Sequence, residues 1–539
     1  SRWVAWHLRR LADQFGASSI WTALPPSVPD WARRALTHVP PRVMTLWPPQ
    51  LEFLAPDDSG APGLLDSSAR RIVVTMPTSA GKTALAQIAI ATHLVTEQTG
   101  VCYVAPSRGL CAEIRGDLAQ RLRPLNKSVA PERPDWGVGF EGTDTRHNVE
   151  VMTPERLAAL LRTNADEVVA RFGMFVFDEA HHVGDRQRGW ILESAISYLH
   201  FRLLDMPSRI VLISAVIGNR SHFAQWLSAD GAAAVERHSD WRGPRRLTCF
   251  YKTKAEWEEA TELRPGRDGL RRRRVPLYGV LQPTATPGTW RQTTEPIGEL
   301  QQRATTATPG RTDWKRQNES TPLYKVNAFM ALTLATLAPP LLVVAAKRDE
   351  ADRLASEVVQ VLPQFDSPHI QGLLALVQRR LGDGHPLATY LRAGVAVHTA
   401  ALPDDVREAI EGAVRQGIVR CVVATTTITD GVNLGVSSVF VASREIQRGN
   451  DREQVVDRAK LLNAFGRAGR AMRETEGIAV LAHHSNTQVP ESEIDATSNE
   501  VRSSLATDAA LGAFEQLEDN IRQSQDAVFE ADGAPGEFA

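Results

Sequence analysis

The sequence of 539 residues holds little cysteine, little lysine, almost no net charge and no long apolar run. Its four cysteines, Cys102, Cys111, Cys249 and Cys421, lack C-x-x-C spacing. That excludes a disulfide framework, a zinc site or an iron–sulfur cluster, and makes a reducing cytosol the expected location. The longest apolar stretch, near 332–346, is broken by Pro339 and Pro340 and is too short to span a bilayer, so no membrane partner is expected. No secretory leader pattern opens the chain. Only eight of the 61 basic residues are lysine. Arginine forks suit phosphate, but the same bias follows from GC-rich coding, which carries the greater weight. A formal charge of −2 leaves nucleic acid open as a partner, because local patches decide that binding.

What is present is a phosphate cradle. The stretch RIVVTMPTSAGKTALAQIA, 71–89, runs from β-branched residues through a small-residue turn into an alanine-rich helical segment. Strand, tight loop and helix N-terminus converge amide N–H groups and a positive dipole end on an anion. Pro77, Thr78, Ser79, Ala80 and Gly81 form the loop, Lys82 reaches the β and γ phosphates, and the Thr83 hydroxyl ligates Mg²⁺. The first glycine of the usual GxxxxGK[ST] pattern is missing, so this is a compact variant. A second segment, MFVFDEAHH at 174–182, is an apolar strand ending in Asp178 and Glu179. A carboxylate at the tip of a neighbouring strand holds Mg²⁺, and one beside it orients and deprotonates the attacking water. Together the two segments predict ATP hydrolysis, with ATP and Mg²⁺ required.

The length allows two to four domains. Residues 1–44 read as a helical accessory segment whose Trp3, Trp6, Trp21 and Trp31 are expected to pack it onto the next domain, with base stacking as the alternative. From 45 to 250, strand runs at 72–76, 101–105, 149–152, 174–178 and 210–214 alternate with helical ones. Residues 251–322, rich in Arg, Thr, Pro and Gly and carrying the basic run 271–274, read as an insertion or linker with one short strand at 275–281. Alternation resumes over 323–490, with strands at 341–345, 395–398, 419–425, 439–442 and 478–481. Residues 491–539 are helical in period with a fraying tail. The expected fold class is α/β: two tandem RecA-like domains, parallel sheets covered by helices, with a cleft between them.

The order of motifs over about 46–481 resembles superfamily 2 helicases, specifically the DExH group of superkiller-type and archaeal repair helicases. LWPPQ at 46–50 looks like the Q motif, PTSAGKT like motif I, APSRGL at 105–110 like Ia, TPERL at 153–157 like Ib, DEAH at 178–181 like II and ISAVIGN at 213–219 like III. SDWRGP at 239–244 resembles the domain-linking segment. In the second half, LLVVAAKRDEADRLA resembles motif IV, GVAVHTAALPDDVR the glycine–histidine element, VVATTTITDGVNLG at 422–435 motif V and NAFGRAGR at 463–470 motif VI. The resemblance implies that Gln50 reads adenine and that Asp430 and Gly431 add to the nucleotide site. It implies strand contacts from Ser107, Arg108, Thr153, Thr425, Thr426 and Thr427, and arginine fingers at Arg467 and Arg470. Three departures stand out: Val216 replaces a threonine in motif III, Asn463 replaces a glutamine in motif VI, and 251–322 is an atypical insertion. The stretch after 490 is too short for both the winged helix and the ratchet of that group. The expected function is an ATP-dependent 3′–5′ helicase or translocase on single-stranded DNA or RNA. The alternative is an ATP-dependent sensor or clamp in an antiphage complex that controls a partner nuclease or other defence or repair subunit.

Overall fold

A computed structural model describes residues 2–39, 42–54, 56, 60–76, 81–131, 147–184, 188–214, 220–228, 234–239, 245–265, 270–284, 291–305, 314–317, 320–363, 368–425, 434–448, 451–454, 456, 458–469 and 476–484. The chain divides into two compact units, one built on Ser1–Trp241 and the other on Arg242–Asp495.

The first unit holds six strands: β1 Arg71–Thr75, β2 Gly100–Val104, β3 Val149–Met152, β4 Phe172–Phe177, β5 Arg209–Ser214 and β6 Val235–His238. They form one sheet in the order β3-β2-β4-β5-β1-β6 with every neighbouring pair parallel. Parallel strands covered on both faces must be apolar on both faces. The side-chain period of two then sends alternate residues into different cores. Ile72 and Val74 of β1, with Met174 and Val176 of β4, enter one core; Val73, Phe175 and Phe177 enter the other. Each strand is thus clamped from both sides, which fixes where its C-terminal end points. Ligands of open parallel sheets lie beyond those ends, and here β5 separates the ends of β1 and β4.

Ahead of the sheet run the helices Arg2–Ser18, Asp30–His38 and Pro48–Leu54. The tryptophans do not anchor them, contrary to expectation. Trp3, Trp6 and Trp31 are more than half exposed, Trp21 is exposed as well, and no residue of Arg2–Ser18 is buried. Aliphatic side chains do the packing instead: Ile20, Leu24, Val28, Ala32 and Leu36 join the core that also receives β1.

The second unit carries β7 Arg245–Ala255, β8 Thr261–Leu263, β9 Arg272–Pro283, β10 Arg291–Gln292, β11 Gly298–Ala304, β12 Trp314–Arg316, β13 Leu341–Ala345, β14 Val395–His398, β15 Cys421–Thr425, β16 Ser438–Val441, β17 Glu445–Arg448, β18 Asp451–Gln454 and β19 Glu476–Ala482. β7, β19, β16, β13, β15 and β14 lie side by side and parallel, and β13 is buried throughout. The tandem α/β architecture is therefore present.

Residues 251–322 are not the linker that their composition suggests. β7 pairs with β19 on one side and antiparallel with β9 on the other, and β11 and β12 continue the ladder, so a β-meander extends the second sheet. The composition misleads because these strands bury little: β9 opens on three consecutive arginines and continues through mostly half-buried residues, which leaves no clean period. β17 and β18 form a separate antiparallel hairpin. Gly477 of β19 is obligatory for packing, since a Cβ there would stand 2.4 Å from the Gly469 amide nitrogen.

Candidate nucleotide site

At the end of β1 the chain enters the helix Lys82–Thr96 through Gly81, whose φ of 83° lies in the left-handed region that glycine adopts without penalty. No side chain caps this helix. Its first-turn amides and dipole therefore face the end of the sheet with no protein anion at the cap position. Lys82 is buried, and its Nζ donates to Glu179 Oε1 at 2.8 Å. The other half of the pair comes from β4. Asp178, at the strand end, is buried, and Glu179 adopts φ 50°. That conformation costs a non-glycine residue about 1–2 kcal/mol. The Glu179 amide donates to Asp178 Oδ1 at 2.9 Å, so the turn orients both carboxyl groups from adjacent positions.

Three further side chains lock the pair. The Tyr103 hydroxyl, buried on β2, donates to Asp178 Oδ2 at 2.7 Å. His181 Nδ1 lies 3.3 Å from Glu179 Oε2 and 3.1 Å from Ser214 Oγ at the end of β5. Gln50, on the helix Pro48–Leu54, donates from Nε2 to the Gly81 carbonyl at 3.3 Å and accepts at Oε1 from the Trp47 amide at 3.0 Å. The ends of three strands and one preceding helix thus converge on Gly81, Lys82, Asp178 and Glu179.

Burial and then the neighbouring Glu179 charge push the Asp178 carboxyl above its ordinary range, with Lys82 and the Tyr103 hydroxyl opposing. Burial acts on Glu179 in the same sense, but Lys82 and His181 overcome it and hold that carboxyl well below the usual range. The Tyr103 hydroxyl is pushed far up by burial and by Asp178, so it stays a donor. Two adjacent carboxyl groups thereby sit in different electrostatic states, the arrangement from which distinct roles arise.

Oxygen donors at Thr83 and Asp178 suit a hard divalent cation, and an uncapped helix start with a buried ammonium suits a polyphosphate, so the residues present fit Mg²⁺ and a nucleoside triphosphate. Of the expected nucleotide-site residues, the structure brings Gln50, Gly81, Lys82, Asp178 and Glu179 together. Thr83 follows Lys82 in the same helix, while Pro77–Ala80, Asp430 and Gly431 lie outside the described residues. Ser107 and Thr153 are helix N-caps, accepting from the Leu110 and Arg156 amides at 3.3 and 3.4 Å, and Arg108 is exposed beside Ser107. Thr425 ends β15, whereas Thr426 and Thr427 lie outside the described residues, as do Val216 and Arg470. Arg467 is buried in the second unit, just after the helix Arg458–Gly466, and its carbonyl accepts from the Val436 amide. Sequence reasoning missed Tyr103. Its signal was a lone hydroxyl in the otherwise apolar run 101–105, on a strand now seen to pair with β4.

Comparison with known proteins agrees with this geometry. Residues 60–222 match the DEAD/DEAH box helicase family, and this part of the chain is a helicase domain of that family. Beyond that segment the chain is similar to curated helicases and to a defence protein over most of its length, which is consistent with the DExH group of superfamily 2. It is 27% identical to Hachiman protein HamB of Bacillus cereus over 443 residues, covering 77% of this chain and 35% of that protein. It is 26% identical over 459 residues to ATP-dependent DNA helicase Hel308 of Pyrococcus abyssi, covering 84% and 52%. Hel308 of Thermoplasma acidophilum is 26% identical over 414 residues, covering 76% and 50%. The chain thus spans about half the length of the Hel308 relatives and about a third of HamB. No helix among the described residues is long and apolar enough to cross a membrane.

Proposed function

We propose that the chain hydrolyses ATP and couples turnover to movement along single-stranded nucleic acid, as a 3′–5′ helicase or translocase. The observation that carries the proposal is the Lys82–Glu179 ion pair beside a separately held Asp178. Lys82 exchanges Glu179 for the β and γ phosphates when nucleotide arrives. Glu179, released from its counter-ion, then becomes the stronger base and positions the attacking water, while His181 continues to orient it. Thr83 and Asp178 would hold Mg²⁺, which would supply charge neutralisation to the phosphates. Gln50 reads the adenine edge, and by the motif V resemblance Asp430 and Gly431 belong to the nucleotide-binding set. Arg467 and Arg470 stabilise charge on the transferring phosphoryl group, a contribution of ~10³–10⁵ in rate where such arginines act. Ser107, Arg108, Thr153, Thr425, Thr426 and Thr427 hold the strand through its phosphates, so affinity falls with salt. The relatives named DNA helicases support DNA as the polymer.

The test is strand displacement from duplexes with a 3′ or a 5′ single-stranded tail, with Glu179→Gln as control. Unwinding of the 3′-tailed duplex alone, lost in Glu179→Gln with ATP binding retained, is the expected result. Polymer-stimulated turnover without displacement would instead assign the chain the role of a clamp or sensor acting on a partner such as a nuclease.

A further inference from the structure

The meander carries a feature that the helicase motifs do not use. On β9, the guanidinium of Arg273 lies 4.9 Å from the Trp257 ring centroid and 4.1 Å from that of Trp314, and its Nε donates to Gln302 Oε1 at 2.9 Å. Two rings and one hydrogen bond fix a group that would otherwise be free to rotate. Gln302 of β11 is also the register partner of Arg316 on β12, so the strand pairing puts Arg273, Gln302 and Arg316 on one face of the sheet. The neighbouring arginines are neutralised locally, Arg271 by Glu262 and Arg274 by Glu299. Arg273 and Arg316 have no carboxylate at ion-pair distance among the described residues; Glu262, opposite Arg273 across the ladder, is held by Arg271. A guanidinium held by stacking, with donors not engaged in an ion pair, is suited to bidentate contact with phosphate.

The same face continues into a groove of about 680 Å³, lined among others by Thr253, Trp257, Leu277, Leu300, Arg316 and Val326. Its inner end is firmly built. His484 is 2.8 Å from Asn327 Oδ1, and Asn327 donates to the Ala442 carbonyl. Trp257 is about half exposed, so part of its ring faces solvent beside Arg273. Basic residues outnumber acidic ones from Arg245 to Arg316, so the meander is positively charged although the chain as a whole is not. Cations for phosphates beside an exposed ring and apolar walls for bases are the components of a single-strand platform.

We infer that the open face of the meander, from Arg273, Trp257 and Trp314 to the groove at Arg316, is a binding site for single-stranded nucleic acid, separate from the motif-borne contacts. The inference rests on the strand-tracking reading in its choice of ligand and adds a second point of attachment on the same polymer. The charge complementarity, and the pairing of cations with a ring, favour a single strand over a duplex backbone or an acidic protein segment.

The test uses the full chain, a fluorescent 30-nucleotide single strand and anisotropy titrations at several salt concentrations. Arg273→Gln with Arg316→Gln should weaken binding about tenfold at 0.1 M salt and lower the slope of log K against log salt by about 1.4, since each single-strand phosphate contact contributes about 0.7. Arg316→Gln alone, at an exposed side chain bonded among the described residues only to the Thr321 carbonyl, should lower the slope by about 0.7 without disturbing the fold. Trp257→Ala should weaken binding severalfold with the slope unchanged. Polymer-free ATP turnover should remain at the wild-type rate in all three variants. Unchanged affinity and slope in the arginine variants, with the wild type binding normally, would overturn this inference and leave the helicase reading intact. Wild-type protein that binds no single strand would overturn both. Equal loss of binding to single strand, blunt duplex and an acidic peptide would mark a general anion surface and overturn the assignment to single strand.

Discussion

Lys82→Ala offers the sharpest energetic test of the nucleotide site, because it removes the ammonium paired with Glu179 beside Asp178. The two side chains of the ion pair are 7% and 17% exposed, so solvent compensates little. Breaking a buried pair by deleting one partner costs about 3–5 kcal/mol, whereas neutralising both costs far less. The residual exposure of Glu179 brings the expected cost of Lys82→Ala to about 2–3 kcal/mol. For a unit of this size that lowers the midpoint of unfolding by about 4–12 °C. Glu179→Gln should cost about 1 kcal/mol, since Lys82 keeps Asp178 nearby. The double variant should be no less stable than Lys82→Ala alone, leaving a coupling of at least 1 kcal/mol in magnitude, about what one charged hydrogen bond supplies.

The pH dependence has a definite sign. Glu179 is depressed in the fold, so its stabilisation is present above the ordinary glutamate value and is lost as pH falls through its lower folded value. Without Lys82, burial and Asp178 raise the Glu179 carboxyl, and protonation then relieves the variant. The gap between wild type and Lys82→Ala should therefore narrow from pH 7 to pH 4.5. Calorimetry of the nucleotide-free full chain, run as a double-mutant cycle at several pH values, reads all of this. Additive effects, or a gap that stays constant with pH, would refute the reasoning.

Asp178→Asn should leave the nucleotide-free protein as stable as wild type or more so, by about 1 kcal/mol, because a carboxyl raised by burial costs stability once pH passes its ordinary value. The same substitution should cut turnover by at least ~10², so melting and ATPase assays on one preparation separate the two effects. Tyr103→Phe strips Asp178 Oδ2 of its buried donor, with an expected loss of about 1–3 kcal/mol. It should also raise the Mg²⁺ concentration needed for half-maximal nucleotide binding severalfold, measured by fluorescent-nucleotide titration. Arg467→Ala should keep nucleotide affinity within a few-fold while lowering turnover by ~10³, seen by comparing equilibrium binding with steady-state hydrolysis.

The residues that were easy to read from sequence are those whose physics is local. β1 and β4 are short apolar runs bounded by a glycine turn and by two carboxylates, and both ends carry their chemistry in consecutive residues. The interactions that tune the site are not local. Tyr103 reaches Asp178 only because β2 pairs with β4, and His181 reaches Ser214 only because β5 is the next strand. Gln50 was found through a motif; its contact with the Gly81 carbonyl crosses 31 positions. The meander escaped because a sheet extension that buries little leaves no clean two-residue period, and charged strands read as loops. β6 escaped for the same reason, as a four-residue strand with three polar positions. The N-terminal tryptophans misled in the opposite direction. Large rings are expected inside, yet smaller aliphatic residues on the following helices supply the contact with the core.

The measurement that bears most directly on the central claim is the steady-state ATPase rate with no polymer, with single-stranded DNA, with single-stranded RNA and with blunt duplex, alongside Lys82→Ala. The account predicts a low basal rate, strong stimulation by single-stranded DNA, and no turnover above background in Lys82→Ala under any condition. A rate that is equally fast without polymer, or that survives Lys82→Ala, would contradict it.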